Sequence, residues 1–315
     1  MDMPFPAEFY EIAKRVNNWG RWGSDDELGT VNFITDEHVR RAAGLILTGK
    51  CFSLSIPLDR NGIQTGLMPG RVNPIRTMLD INKPMLGDPA LFCNTDDIVV
   101  MGLQSATHWD GLAHVSYDGR MYNGYDINSI NEDGASKCGI DKIETLVSRG
   151  VLLDIAGAKG VDRLEPGYHI TCEDLDDAET FANITVETGD IVLIRTGQIQ
   201  FVRKAYLKPQ DKTEFAKPTP GLDITTAEWF YNRNVAAVTS DTFSLEVYPR
   251  KDRDMFLPLH LIHIVEMGLT QGQNWDLEKL SQECAEDGSY QFFLEASPQK
   301  FVGGVGTMVN PVAIK

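Results

Sequence analysis

Three short apolar runs constrain the fold more than any other feature: GVLLDIAG at 150–157, GDIVLIRTG at 189–197 and NVAAVTSD at 234–241. None shows the apolar–polar alternation of a strand with one wet face. Runs of this length, bounded by glycine or polar turn residues, suit strands buried on both faces. Helical patterns separate and follow them, near 173–182, 224–233 and 276–285. The second contains TTAEWFYNR, which begins with cap-type threonines. Upstream, DEHVRRAAGLILTG at 36–49 suits a helix, with Asp36 and Glu37 at its start and Gly49 beyond its end. CFSLSIPLD at 51–59 alternates Phe52, Leu54 and Ile56 with small residues, as a half-buried strand does. Residues 60–75 read as a long Gly/Pro/Asn loop, and Ile98–Leu103 as the core of another strand. This mixture indicates α/β or α+β architecture. No repeat or shift of composition divides the chain, and AKPTPGL at 216–222 reads as a loop rather than a linker. One domain over 1–315 is expected.

Bulk properties exclude several classes. A chain of 315 residues with 42% hydrophobic content can bury a core without staples, so any metal is functional rather than structural. Cys51, Cys93, Cys138, Cys172 and Cys284 are scattered and form no CxxC, which argues against a disulfide framework or a cysteine zinc knuckle. A net charge of −16 disfavours nucleic acid and anionic membrane. The start, MDMPFPAEFY, has neither a basic nor an apolar leader segment, and no run reaches the length of a membrane span, so a cytoplasmic location is expected. No G-x-G-x-x-G follows a strand, and GGVGT at 303–307 has the wrong spacing, so no nucleotide cofactor is expected. No G-x-S-x-G elbow surrounds Ser105, Thr107 or Ser240, which disfavours a serine hydrolase.

The chemistry concentrates in QSATHWDGLAH, residues 104–114. If the chain is extended there, Gln104, His108 and Asp110 share one face, and Gly111 breaks the strand so that His114 returns through a turn. Imidazole and carboxylate in such a cluster suit Zn²⁺, Mn²⁺ or Fe²⁺, although ordinary structural histidines would look the same. In PLHLIHIVEMG, residues 258–268, His260 and His263 stand three apart on a helical pattern and share a face, with Glu266 three further on. Spacing alone does not choose between ligand and core roles. Asp241 ends an apolar run, where strand ends commonly carry site residues.

Four stretches together resemble the metal-dependent cyclase-like hydrolases, the group that contains bacterial kynurenine formamidase and isatin hydrolase. They are NWGRWGSDDELGTVNFIT at 18–35, QSATHWDGLAHVSYDGRMYNG at 104–124, PLHLIHIVEMGLTQGQNWDLEKL at 258–280 and GGVGTMVNPVAIK at 303–315. The resemblance implies a swivelling β/α/β fold, a β-rich, barrel-like core with surrounding helices. It implies that His108, Asp110 and His114 belong to the site, with His260 as the later histidine, and leaves His263 without a counterpart. Two positions depart: Gln104 stands where the family has its first histidine, and Gln273 where it has a glutamate. Asp110 is then the one anionic ligand, too little charge and donor strength for the binuclear zinc site of the family. The expected cofactor is one divalent ion, Mn²⁺ or Zn²⁺, held by His108, Asp110, Gln104 and Gln273. His114 and His260 are the expected acid–base pair, and Trp22, Trp109, Tyr117, Tyr122 and Asp241 the expected contacts to a small, flat substrate. Hydrolysis of a cyclic amide, lactone or formamide is implied. A metal-free cyclase, dehydratase or isomerase and a non-catalytic ligand-binding protein are the alternatives. A homodimer or homotetramer is implied as well.

Overall fold

A computed structural model describes residues 5–64, 66, 68–200, 218–249 and 255–315. In chain order the elements that matter here are α1 (Ala7–Arg15), α2 (Asp36–Ala43), β1 (Cys51–Ser53), β2 (Ile75–Pro84), β3 (Cys93–Val100), β4 (His108–Asp110), β5 (Val147–Asp154), α3 (Cys172–Ala182) and β6 (Ile191–Arg195). They continue with α4 (Ala227–Asn232), β7 (Ala237–Ser240), α5 (Pro258–His260), β8 (Thr270–Gln273), α6 (Glu278–Asp287), β9 (Gln291–Glu295), β10 (Gly306–Met308) and β11 (Val312–Ile314). Nine strands form one curled sheet in the order β1–β11–β9–β5–β6–β7–β8–β4–β10. The central strands β5, β6, β7 and β8 run parallel. The flanks are antiparallel, with β9 and β11 on one side and β4 and β10 on the other.

The three glycine-bounded runs are the centre of this sheet, and their lack of alternation has a direct cause. On one face Val151, Leu153, Val192, Ile194 and Val238 pack with residues of α1, α3, α4 and the 258–267 helix. On the other, Leu152, Ile191, Leu193 and Ala237 pack with Trp109, Trp275, Phe292 and Leu294. With both faces dry, every position favours an apolar side chain, each contributing about 1.5–3 kcal/mol by burial. The helices supply complementary stripes. In α1, Phe9, Ile12, Ala13 and the following Val16 are buried, while Glu8 and the terminal Lys14 and Arg15 suit the helix dipole.

Several elements differ from the sequence expectation. Helix α2 opens on a Thr35 capping box with His38 and stops at Ala43, with Gly44 as its C-cap, well short of Gly49. Strand β1 ends at Ser53, and only Ser55 bridges onward, to Trp275. The expected strand core at Ile98–Leu103 lies earlier, at Cys93–Val100, because Gly102 and Ser105 close a turn. It pairs with β2 as a separate two-stranded hairpin whose Ile75, Leu79, Ile81, Ile98 and Val100 are all exposed. Of the loop expected at 216–222, residues 216 and 217 lie outside the described residues. No helix among the described residues is long and apolar enough to cross a membrane.

Candidate ion and acid–base site

Strand β4 sets the site. Its residues alternate, so His108 and Asp110 face the layer that holds the 258–267 helix, and Trp109 faces the opposite core. Strand β8 lies beside it in register, Gln273 opposite His108 and Gln271 opposite Asp110. On the other side β10 places Gly306 opposite Asp110. Strand β4 spans only three residues. Gln104 therefore does not share its pleat, as parity suggested. It arrives from the Gly102–Ser105 turn, and its amide lies over Gly306, where a Cβ would stand 2.7 Å from Nε2. Beyond Asp110 the chain turns as expected, the His114 amide donating to the Gly111 carbonyl at 3.0 Å.

The polar atoms around Asp110 are short of protons. His108 Nδ1–H donates to the Ala106 carbonyl at 2.7 Å, which leaves Nε2 as a lone pair, 3.6 Å from Asp110 Oδ1. His114 Nε2 is 3.5 Å from the same oxygen. Gln273 donates its Nε2–H to Asp110 Oδ2 at 2.8 Å, which leaves its own Oε1 uncommitted to Asp110. Asp110 Oδ1 and Gln273 Oε1 are both buried without a hydrogen-bond partner. Burial pushes the His108 pKa down to about 4, despite the opposing pull of Asp110, so its ring is neutral at physiological pH. Burial also lowers His114. In Asp110 burial acts upward, but the fields of His114, His108, His260 and Arg71 outweigh it and hold the carboxyl below its ordinary value. An anionic oxygen, a buried amide oxygen and a lone-pair imidazole on two adjacent strands are complementary to a divalent cation. The backbone-anchored Nδ1 of His108 is the usual outer support of such a ligand. No three His, Cys, Asp or Glu side chains among the described residues are placed to hold an ion by themselves. The fit therefore depends on the amide oxygens.

The second half of the site is His260, at the end of α5. Its Nδ1–H donates to Glu246 Oε1 at 2.7 Å, and its backbone N–H donates to the same oxygen at 2.9 Å. Glu246 Oε2 accepts from the Leu259 amide at 3.1 Å. Glu246 is fully buried and thus caps the helix start while fixing the ring tautomer, leaving His260 Nε2 as a base. Sequence reasoning missed Glu246. A single glutamate in the loop DTFSLEVYP carries no periodic or motif signal.

The remaining expected residues disperse. Trp109 is a core residue, its indole N–H on the Ala296 carbonyl at 2.7 Å and its ring edge-on to Trp275. Tyr122 is buried, with its hydroxyl on Asp26 at 2.8 Å. Tyr117 donates to Glu266, which also accepts from Asn17, so Glu266 serves the N-terminal segment rather than the histidines. Trp22 stacks edge-on with Phe33 beside Arg21. These aromatic contacts are satisfied within the protein, because each ring or polar tip already has a partner. Asp241 is also buried. Its Oδ1 accepts from the Thr196 amide and hydroxyl while Oδ2 has no partner, and burial pushes its pKa up to about 6. His260 and His263 part company as well. The helix switches to π-helical winding over Leu261–Met267, and His263 turns to Gln271 of β8.

The Cyclase family model matches residues 52–247, a span that contains β4, the His114 turn and Glu246. A crystal structure described as a novel cyclase is 37% identical, with a TM-score of 0.87, and the match covers 96% of this chain and 99% of that one. The chain belongs to the cyclase family. Isatin hydrolase A from Labrenzia aggregata, solved with benzyl benzoate, shares the family fold at a TM-score of 0.61 and 18% identity, over 86% of this chain and 94% of that one. A structure described as a potential metal-dependent hydrolase with cyclase activity shares it at 0.51 and 16%, over 84% and 98%. No curated protein sequence matches.

Proposed function

We propose that the chain is a metal-assisted hydrolase that opens a cyclic amide, lactone or formamide bond in a small substrate. One observation carries this reading. Asp110 Oδ1, buried and unpartnered, lies 3.6 Å from the lone-pair nitrogen of His108, and Gln273, opposite His108 on the neighbouring strand, has a buried, unpartnered Oε1. His108, Asp110 and Gln273 would hold one ion, with the Gln104 amide as a further oxygen donor; Mn²⁺ suits such an oxygen-rich set and Zn²⁺ is the alternative. When bound, the ion supplies Lewis acidity to the substrate carbonyl and lowers the pKa of a water. His260 Nε2 takes the proton of the attacking water, and Glu246 stabilises the imidazolium that results. His114, whose Nε2 lies 3.5 Å from Asp110 Oδ1, returns a proton to the departing nitrogen or oxygen. The names of the isatin hydrolase neighbours support the same reaction class. A flat substrate would meet Phe243, Tyr248 and Phe256, an edge-to-face series at 5.4 and 5.8 Å on the segments that present Glu246 and His260. Purified protein should contain about one equivalent of Mn²⁺ or Zn²⁺ and should open isatin-like or formanilide-like compounds in a chelator-sensitive manner. Turnover that survives complete metal removal overturns the reading.

One observation favours a second reading, namely that ionisable side chains alone form no ion site among the described residues. In a metal-free cyclase, dehydratase or isomerase, Gln104 and Gln273 would bind the substrate and His114 and His260 would move its protons. Crystals that show no ion after soaking in Mn²⁺ and Zn²⁺, from protein that retains turnover, would establish it.

A further inference from the structure

His263 has no role in the reaction just described, yet it is wholly buried, and it ends a line of hydrogen bonds that starts at Asp110. Gln273 Nε2 lies 2.8 Å from Asp110 Oδ2 and 3.5 Å from Gln271 Oε1. Gln271 Nε2 lies 3.0 Å from His263 Nδ1. The polarity of this line is determined from one end. An ionised carboxylate only accepts, so Gln273 must turn its NH₂ toward Asp110. The second hydrogen of that NH₂ then meets Gln271, which must present its oxygen. Gln271 therefore points its own NH₂ at His263, whose Nδ1 must be the bare nitrogen. One atom is left over by this ordering, Gln273 Oε1, which is buried and unpartnered.

We infer that His263 is a positioning residue, which, through Gln271, holds the Gln273 amide with its oxygen toward the ion site. The inference rests on the reading of the Asp110 group as an ion site. Without an acceptor at His263, Gln271 loses the reason to keep its oxygen toward Gln273. A rotated Gln271 sets two NH₂ groups against each other, and Gln273 must then abandon either Gln271 or Asp110. The His263 ring also carries a cost that a purely packing residue would not. Its Nε2 is buried with no partner, in a ring that meets Phe230 edge-to-face at 5.4 Å between centroids. A leucine there would remove that orphan but would strand Gln271.

Two measurements test this independently of turnover. Selective ¹⁵N-histidine labelling resolves the six histidines. His263 should show the Nε2–H tautomer in metal-free protein, and an Nδ1–H tautomer there overturns the inference whether or not an ion binds. Calorimetric titration of wild type, His263→Leu and His263→Asn with Mn²⁺ is the second test. His263→Leu should bind about tenfold more weakly while melting near the wild-type temperature. His263→Asn, whose amide oxygen can replace Nδ1, should recover most of the affinity. Wild-type affinity in His263→Leu, or equal loss in both variants, overturns the inference. Failure of wild type itself to bind Mn²⁺ or Zn²⁺ overturns the ion reading instead, and leaves the tautomer to decide on His263.

Discussion

Gln273 stands where the family resemblance sets a glutamate, and the structure gives that exchange a physical consequence. Its NH₂ group donates to Asp110 Oδ2 at 2.8 Å. A carboxylate in its place would lie against a carboxylate, and without an ion between them both could not ionise freely. Gln273→Glu should therefore lower the stability of the metal-free protein by roughly 1–3 kcal/mol, and reverse sign when an ion is supplied. Melting curves in chelator and in Mn²⁺ check this, and identical shifts in both conditions would refute it. Asp241 allows a prediction in pH. Its folded pKa of about 6 lies above the ordinary 3.8, so the folded state holds that proton more tightly. The contribution is fully present below pH ~4 and is lost as pH rises through ~6, about 3 kcal/mol in all. Asp241→Asn stays neutral and keeps an oxygen for both Thr196 donors. Its stability relative to wild type should climb between pH 4 and 7 in urea titrations, and parallel curves for the two proteins would rule this out.

At the scale of elements, the helix start at Pro258–His260 and the strand β8 matter most. Glu246 closes the helix start with bonds to two backbone amides and to the His260 ring. In Glu246→Gln the amide must set an NH₂ group against one of those donors, and the charge that stabilises a protonated His260 is gone. A loss of about 1–2 kcal/mol in stability and a fall of roughly 10²-fold in kcat are expected. The conservative Glu246→Asp, which keeps the charge, should retain more of the rate. Equal kcat in Glu246→Gln and wild type would remove Glu246 from the mechanism. Which elements were legible follows from the same physics. Strands β5, β6 and β7 were readable because burial on both faces leaves an uninterrupted apolar run. Strand β8, TQGQ, was not, because its buried glutamines bond Asp110 and His263 instead of packing as apolar residues, and its Gly272 leaves room for Thr239 and the Trp275 indole. Of the β2–β3 hairpin only Ile98–Val100 fell within an expected strand, since exposure on both faces erases the pattern that burial writes. The clustering of His108, Asp110 and His114 was visible in local spacing, while their site roles came from the resemblance. The Glu246–His260 pair was not, because its 14-residue separation follows no helix or strand period.

At the scale of the molecule, the site joins segments that are remote in the chain. His108 and Asp110 come from β4, Gln273 from β8, Glu246 and His260 from the loop and helix before β8, and Gly306, beneath Gln104, from β10. The parallel centre of the sheet holds β8 in place, but the antiparallel flank β8–β4–β10 is closed only by short strands of three or four residues. An ion held between β4 and β8 would brace that flank, and because an unfolded chain does not assemble these donors, binding adds directly to folding stability. At an ion concentration of 100 times the dissociation constant the gain is about 2.7 kcal/mol. In a chain of this size that corresponds to a rise in Tm of roughly 5 °C. The shift should follow the logarithm of Mn²⁺ concentration in thermal melts and should vanish in Asp110→Ala, which removes the one anionic donor between the two histidines. A rise of the same size in Asp110→Ala would mean that the ion acts on the acidic surface of a chain with net charge −16, and not at β4 and β8.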